Sequence, residues 1–180
     1  MRANLSKRLL IVVAVALFAA GCGSVFDRRP PPPCPPIFIL KDAGSLTRYK
    51  PGTSRDITDA LFQGKIIDFQ GVCDYNKERT KVDIKVELAF ELSRGPANRD
   101  RKAAFQYFVA IPHFHPAPQG RNIFSIVAEF AEREQRVITN DDIQMVIPLD
   151  PKLRPDAYPI YLGFQLTRQE LEDNRRVTKF

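Results

Sequence analysis

Between Lys81 and Ser93 the chain alternates without a break. Val82, Ile84, Val86, Leu88, Phe90 and Leu92 fall on one parity, and Asp83, Lys85, Glu87, Ala89 and Glu91 on the other. A strand repeats its side-chain direction every second residue, so the apolar set lines one face and the charged set the other. A helix would scatter the same residues around its whole circumference. The run therefore commits the chain to a sheet with one dry face and one wet face, the habit of antiparallel architectures.

Further runs repeat the device. Ile160, Leu162, Phe164 and Leu166 alternate near the C-terminus, while Phe105–Ile111 and Ile123–Phe130 are apolar on both parities and suit central or covered strands. Shorter strands are expected over Ile37–Leu40, Ile66–Cys73 and Ile143–Leu149, with another starting near Ile57. Pro51-Gly52, Gly95-Pro96, Pro116 to Gly120 and Asp150-Pro151 punctuate the runs with turn chemistry, and Asn140-Asp141-Asp142 also reads as a turn. Thr167-x-x-Glu170 is a capping box that opens one short helix through Arg175, with Leu171 turned inward. Strands do not alternate with helices, which argues against a parallel α/β sheet. The expected fold is all-β: an antiparallel, immunoglobulin-like β-sandwich with a short C-terminal helix. A closed barrel is the alternative.

The N-terminus carries a different signal. Arg2, Lys7 and Arg8 precede an uncharged apolar run from Leu9 to Ala20, and Ala19-Ala20-Gly21-Cys22 places small residues before a cysteine. A run of a dozen residues is too short for a bilayer span, which needs roughly 20. The pattern reads as a secretory signal over residues 1–21 ending in a lipobox, with Cys22 as the lipidated residue. Loss of residues 1–21 from the 180 leaves 159, enough for one domain with its own core. It also removes three cations and no acid, lowering the net charge from +6 to about +3. That charge is too small and too scattered to argue for nucleic acid.

Residues 22–36 follow as a tether. Six of the seven residues 30–36 are proline, which cannot join a helix or a central strand for want of an amide donor. Polyproline II spaces such a segment at about 3.1 Å per residue, giving a stiff stem of roughly 40 Å. Residues 37–180 then form the sandwich domain. Cys34 and Cys73 are the two cysteines left after Cys22 is acylated, and in an oxidising compartment they are expected to pair as a disulfide.

Catalytic chemistry is hard to find. His113 and His115 are the only histidines; His-x-His on a strand can chelate a metal, but this pair sits between Pro112 and Pro116 at a hairpin end, with no named third ligand. No metal or other cofactor is therefore expected. Nucleophile-elbow, S-x-x-K and H-E-x-x-H motifs are all lacking. Asp83, Glu87 and Glu91 alternate with Lys85 as a solvated face rather than as paired acids. Arg94, Arg99, Arg101 and Lys102 gather between two strands and read first as a solvated hairpin loop, with contact to an anionic polymer or lipid headgroups as the alternative. The chain is read as non-enzymatic.

One resemblance stands beside these readings. Gly95-Pro96, Tyr107-Phe108-Val109-Ala110-Ile111, Ile147-Pro148, Tyr161-Leu162-Gly163-Phe164-Gln165-Leu166-Thr167, Glu170-Leu171 and Asn174-Arg175, with Cys34-Pro35-Pro36 ahead of them, resemble a family of uncharacterised lipoproteins of proteobacteria, alphaproteobacteria among them. The resemblance spans most of the chain after Cys22. It implies export, lipidation and a β-rich domain, and it brings no established activity and no functional residue.

The resulting expectation is a cell-envelope lipoprotein held on membrane lipid through Cys22 and acting as a non-catalytic interaction or assembly module on an envelope protein partner. Gly23 after the acylated cysteine favours the periplasmic face of the outer membrane in a cell with two membranes. The rival readings are a periplasmic metal-handling protein using His113 and His115, and a polysaccharide-binding or polysaccharide-active protein. The lack of tryptophan weighs against the latter.

Overall fold

Two four-stranded sheets stack face to face in the computed structural model, which describes residues 32–52 and 55–177. The strands are β1 (Ile37–Ile39), β2 (Ser45–Tyr49), β3 (Ala60–Tyr75), β4 (Lys81–Arg94), β5 (Lys102–Ala110), β6 (Arg121–Glu129), β7 (Arg136–Pro148) and β8 (Ile160–Phe164), followed by helix α1 (Arg168–Val177). One sheet runs β1-β8-β5-β6 and the other β2-β3-β4-β7. Every pairing is antiparallel except β1 with β8. The expected β-sandwich with a C-terminal helix is what the chain forms. Its strand order is not an immunoglobulin order, where the central strands of the ABED sheet are not consecutive; here the central β3 and β4 are neighbours in sequence and form one long hairpin.

The alternation on β4 does what its period requires. Val82, Ile84, Val86, Leu88, Phe90 and Leu92 are all at most 1% exposed. Phe90 reaches across from its sheet to Phe105, Tyr107 and Phe164 of the other, with ring centroids 5.2, 5.1 and 5.8 Å away. Tilted aromatic pairs of this kind add about 0.5–1.5 kcal/mol each beyond the area they bury. β5 and β8 supply the opposing face through Ala103, Phe105, Tyr107 and Val109 and through Ile160, Leu162 and Phe164.

Several boundaries differ from expectation. The segment at Ile57 is not a strand. It is a 3-10 turn over Ile57–Asp59, capped by the Asp56 carboxylate, which accepts from the Thr58 amide at 2.9 Å and leaves Ile57 61% exposed. β3 starts at Ala60 rather than Ile66, and a bulge between Ile66 and Asp68 shifts its register. The bulge swaps the inward parity from Phe62, Gly64 and Ile66 to Phe69, Cys73 and Tyr75, so no single period-two pattern describes the strand. β2 has only Leu46 fully inside and carries little periodicity. β8 ends at Phe164, before Leu166, because Thr167 opens the helix. The capping box forms as written: Glu170 Oε2 accepts from the Thr167 amide at 2.8 Å and Thr167 Oγ1 from the Glu170 amide at 3.2 Å.

The largest correction concerns Asn140-Asp141-Asp142, which lies inside β7 and is not a turn. Asp141 stands opposite Leu88 on the inner face, and its carboxylate accepts a hydrogen bond from the Tyr107 hydroxyl of the other sheet at 2.6 Å. The two flanking residues point outward, where Asn140 Nδ2 donates to Glu87 Oε1 at 3.0 Å. Partners on both faces let three turn-forming residues stay extended.

Candidate functional site

The described part of the proline segment is bound into the fold. Cys34 and Cys73 form the expected disulfide, with Cα atoms 5.8 Å apart. Around it, Pro33 O accepts from the Tyr75 hydroxyl at 2.7 Å and Pro36 O from the Ile160 amide at 2.9 Å. The compact unit accordingly begins at Pro33, and the last four residues of the expected tether belong to it. Burial pushes the Tyr75 hydroxyl above the ordinary tyrosine value, so it stays protonated as a donor. Cys22 and the signal segment lie outside the described residues.

His113 and His115 are both exposed in the β5–β6 connection. They fall on a 3-10 turn, Pro112–Phe114, and its C-cap, so the same-face geometry of a strand does not apply to them. The His113 ring packs 4.4 Å from the Tyr158 ring and 5.1 Å from Phe114. Among the described residues no three His, Cys, Asp or Glu side chains gather as metal ligands.

The four cations of the β4–β5 connection do not act together. Arg94 turns back into its own loop and donates to Asn98 O through Nε at 3.2 Å and Nη2 at 2.8 Å. Lys102 pairs with Glu129 of β6 at 3.2 Å. Arg99 and Arg101 remain exposed at the tip. On the outer face of β4, Glu87 holds Asn140 and Glu91 pairs with Arg136 at 3.3 Å. A shallow hollow of about 430 Å³ over this face is lined by Gln70, Lys85, Glu87, Asp142 and Gln144, with no aromatic side chain.

A different site emerges where α1 meets the other sheet. The helix is tied down by Asn174, whose Nδ2 donates to Asp42 O at 2.9 Å and Ser45 O at 2.8 Å, and by Arg175, whose Nε lies 3.0 Å from Asp42 Oδ2. Arg48 of β2 adds an ion pair to the buried Glu170 at 3.2 Å. Between α1, the 3-10 turn Lys41–Ala43 and the outer face of β5–β8 lies an open pocket of about 530 Å³. Leu40, Phe108, Leu166 and Leu171 form much of its apolar lining, and Lys41, Arg121 and Arg175 bring cations to it. Arg121 lays its guanidinium 4.9 Å from the centre of the Phe108 ring and donates to Gln165 Oε1 at 2.5 Å. Gly163 makes this floor: a β-carbon there would lie 2.7 Å from Ala43 Cβ and 2.9 Å from Phe108 Cζ. This pocket is hard to read from the sequence. Its residues come from segments more than a hundred positions apart, and the only hint was the apolar Phe108 at an outward parity of β5.

Comparison with protein-family models, with curated proteins and with solved structures gives no match. The molecule defined by fold and site is therefore described as a disulfide-clamped β-sandwich with a cation-lined apolar pocket beside its C-terminal helix.

Proposed function

We propose that this chain is an exported lipoprotein, acylated on Cys22, whose sandwich serves as a non-catalytic interaction or assembly module at the periplasmic face of the outer membrane. The observation that carries the reading is the Cys34–Cys73 disulfide. Structural disulfides persist in oxidising compartments and are rare in the cytosol. This one joins the proline-rich segment to β3, so a pull on the anchor passes into the sheet and not into a loose joint.

The interaction role is supported by the edges. β6 and β7 end their sheets among the described residues. Their outer faces carry Ile123 and Val127 on β6 and Ile138 and Val146 on β7, each more than half exposed. Unpaired edges with apolar side chains are surfaces on which a partner strand can add. Two carboxylates of the outer β4 face, Glu87 and Glu91, are engaged by Asn140 and Arg136, which suits a binding module better than an acid–base pair.

Fractionation tests the reading. The wild-type chain is expected in the membrane pellet and open to protease in cells with a permeabilised outer membrane, and Cys22→Ala is expected to abolish acylation and membrane retention. Crosslinkers placed at Val146 and Ile138 are expected to trap one envelope protein, while one at Lys65 traps none. A wild-type chain that stays cytosolic would refute the proposal.

A further inference from the structure

We propose that the pocket between α1, the Lys41–Ala43 turn and the β5–β8 face binds a single aliphatic chain that ends in an anionic head. This goes beyond the anchoring role and does not rest on it. At about 530 Å³ the pocket is in the range of small-molecule sites, which run from roughly 300 to 1,000 Å³.

Its lining has two halves. Leu40, Leu166 and Leu171, with the rim of the mostly buried Phe108, give apolar surface and offer no side-chain hydrogen-bond donor or acceptor. A ligand lying there must be apolar, or it loses its hydrogen bonds to water without replacement. Three cations and one carboxylate make up the charged half. The carboxylate, Asp42, is held by Arg175 at 3.0 Å, which leaves Lys41 and Arg121 to set the charge. Neither has an ion-pair partner among the described residues. Arg121 is already oriented: its guanidinium rests on Phe108 and one nitrogen is spent on Gln165, with other donors left to fork onto a carboxylate or phosphate. An anionic head at Arg121 and Lys41 leaves the attached chain to run along Leu40, Leu166 and Leu171.

A fatty carboxylate and a lysophospholipid share this chemistry, and photolabelling of the full chain in the membranes of the cells that express it separates them. Three diazirine probes of equal chain length are used: dodecanoate, a dodecanoyl lysophosphatidylglycerol and dodecanol. Labelling is mapped on peptides by mass spectrometry. At least one anionic probe is expected to label peptides that contain Leu40–Ala43, Phe108 or Leu166–Leu171, and the probe that labels more strongly identifies the source. Dodecanol is expected to label these peptides about tenfold less, for want of the charge-assisted contact. The exposed pair Lys41→Glu with Arg121→Glu is expected to lower anionic labelling about tenfold with the Cys34–Cys73 bridge intact. Leu40→Trp, which narrows the pocket and keeps the cations, is expected to lower it as well. Equal labelling by dodecanol, or labelling that never reaches these peptides, overturns the proposal, whatever the fate of Cys22.

Discussion

The hydroxyl of Tyr107 donates to Asp141 Oδ2 at 2.6 Å and so joins β5 of one sheet to β7 of the other. Tyr107 is fully buried, stacked on Phe124 at 5.1 Å, and Asp141 sits beside the core on an edge strand. Hydrogen bonds to charged groups contribute about 1.5–3 kcal/mol, and the only partly buried carboxylate puts this one toward the low end. Tyr107→Phe is expected to cost about 1–2 kcal/mol and to lower the thermal midpoint by about 3–6 °C. Asp141→Ala, which leaves a buried hydroxyl without its acceptor, is expected to cost at least as much. Urea titration of both variants checks the pair, and an unchanged midpoint in both would show that the bond adds nothing.

The same contact sets an alkaline limit. Burial foremost, then the hydrogen bond and negative charge of Asp141, push the Tyr107 hydroxyl far above the ordinary tyrosine value of 10.0. The folded chain therefore keeps this proton at pH values where the unfolded chain releases it. Stability from this group is whole below about pH 10 and falls as the pH rises above it. Urea midpoints measured from about pH 8 to pH 11 are expected to drop steeply above pH 10. Tyr107→Phe is expected to flatten the drop without abolishing it, since Tyr75 is shifted in the same direction by burial.

Loss of the disulfide is expected to loosen the N-terminal edge first. The bridge joins residues 39 apart, and the chain-entropy model assigns a closed loop of that length on the order of 3–4 kcal/mol. Cys34→Ser with Cys73→Ser, or reduction of the wild type, is expected to lower stability by about that amount. Limited proteolysis is expected to open the chain around residues 32–40, where β1 is held by only three register pairs to β8.

Two glycines are expected to respond very differently to alanine. A β-carbon at Gly95 would lie 2.1 Å from the Ala60 carbonyl oxygen, a clash with backbone that no rotamer relieves. Gly95→Ala is expected to cost about 3 kcal/mol or to prevent folding. Gly52 has φ +77° and open space around it, so Gly52→Ala is expected to cost only about 1 kcal/mol. Expression yield and urea midpoints of the two variants decide the comparison.

What the sequence disclosed and what it withheld divide along physical lines. β4 was legible because it is buried on one face over its whole length, and the capping box because it is a local motif closed by residues three apart. The disulfide followed from cysteine arithmetic. β3 was blurred by the bulge at Ile67, which inverts the parity midway. β7 was shortened because Asn140-Asp141-Asp142 carries the chemistry of a turn, and only Tyr107, 34 residues away in the chain, makes an inward aspartate tolerable. The pocket was invisible because Lys41, Arg121 and Arg175 have no relation in sequence and meet only when α1 docks through Asn174.

The most direct test of the account is the intact mass of the full-length gene product, isolated from membranes without reductant. The account predicts a chain that begins at Cys22, carries a diacylglyceryl group on that residue and is two hydrogens lighter than its reduced form. An unlipidated chain that still begins at Met1, with two free thiols at Cys34 and Cys73, would contradict it.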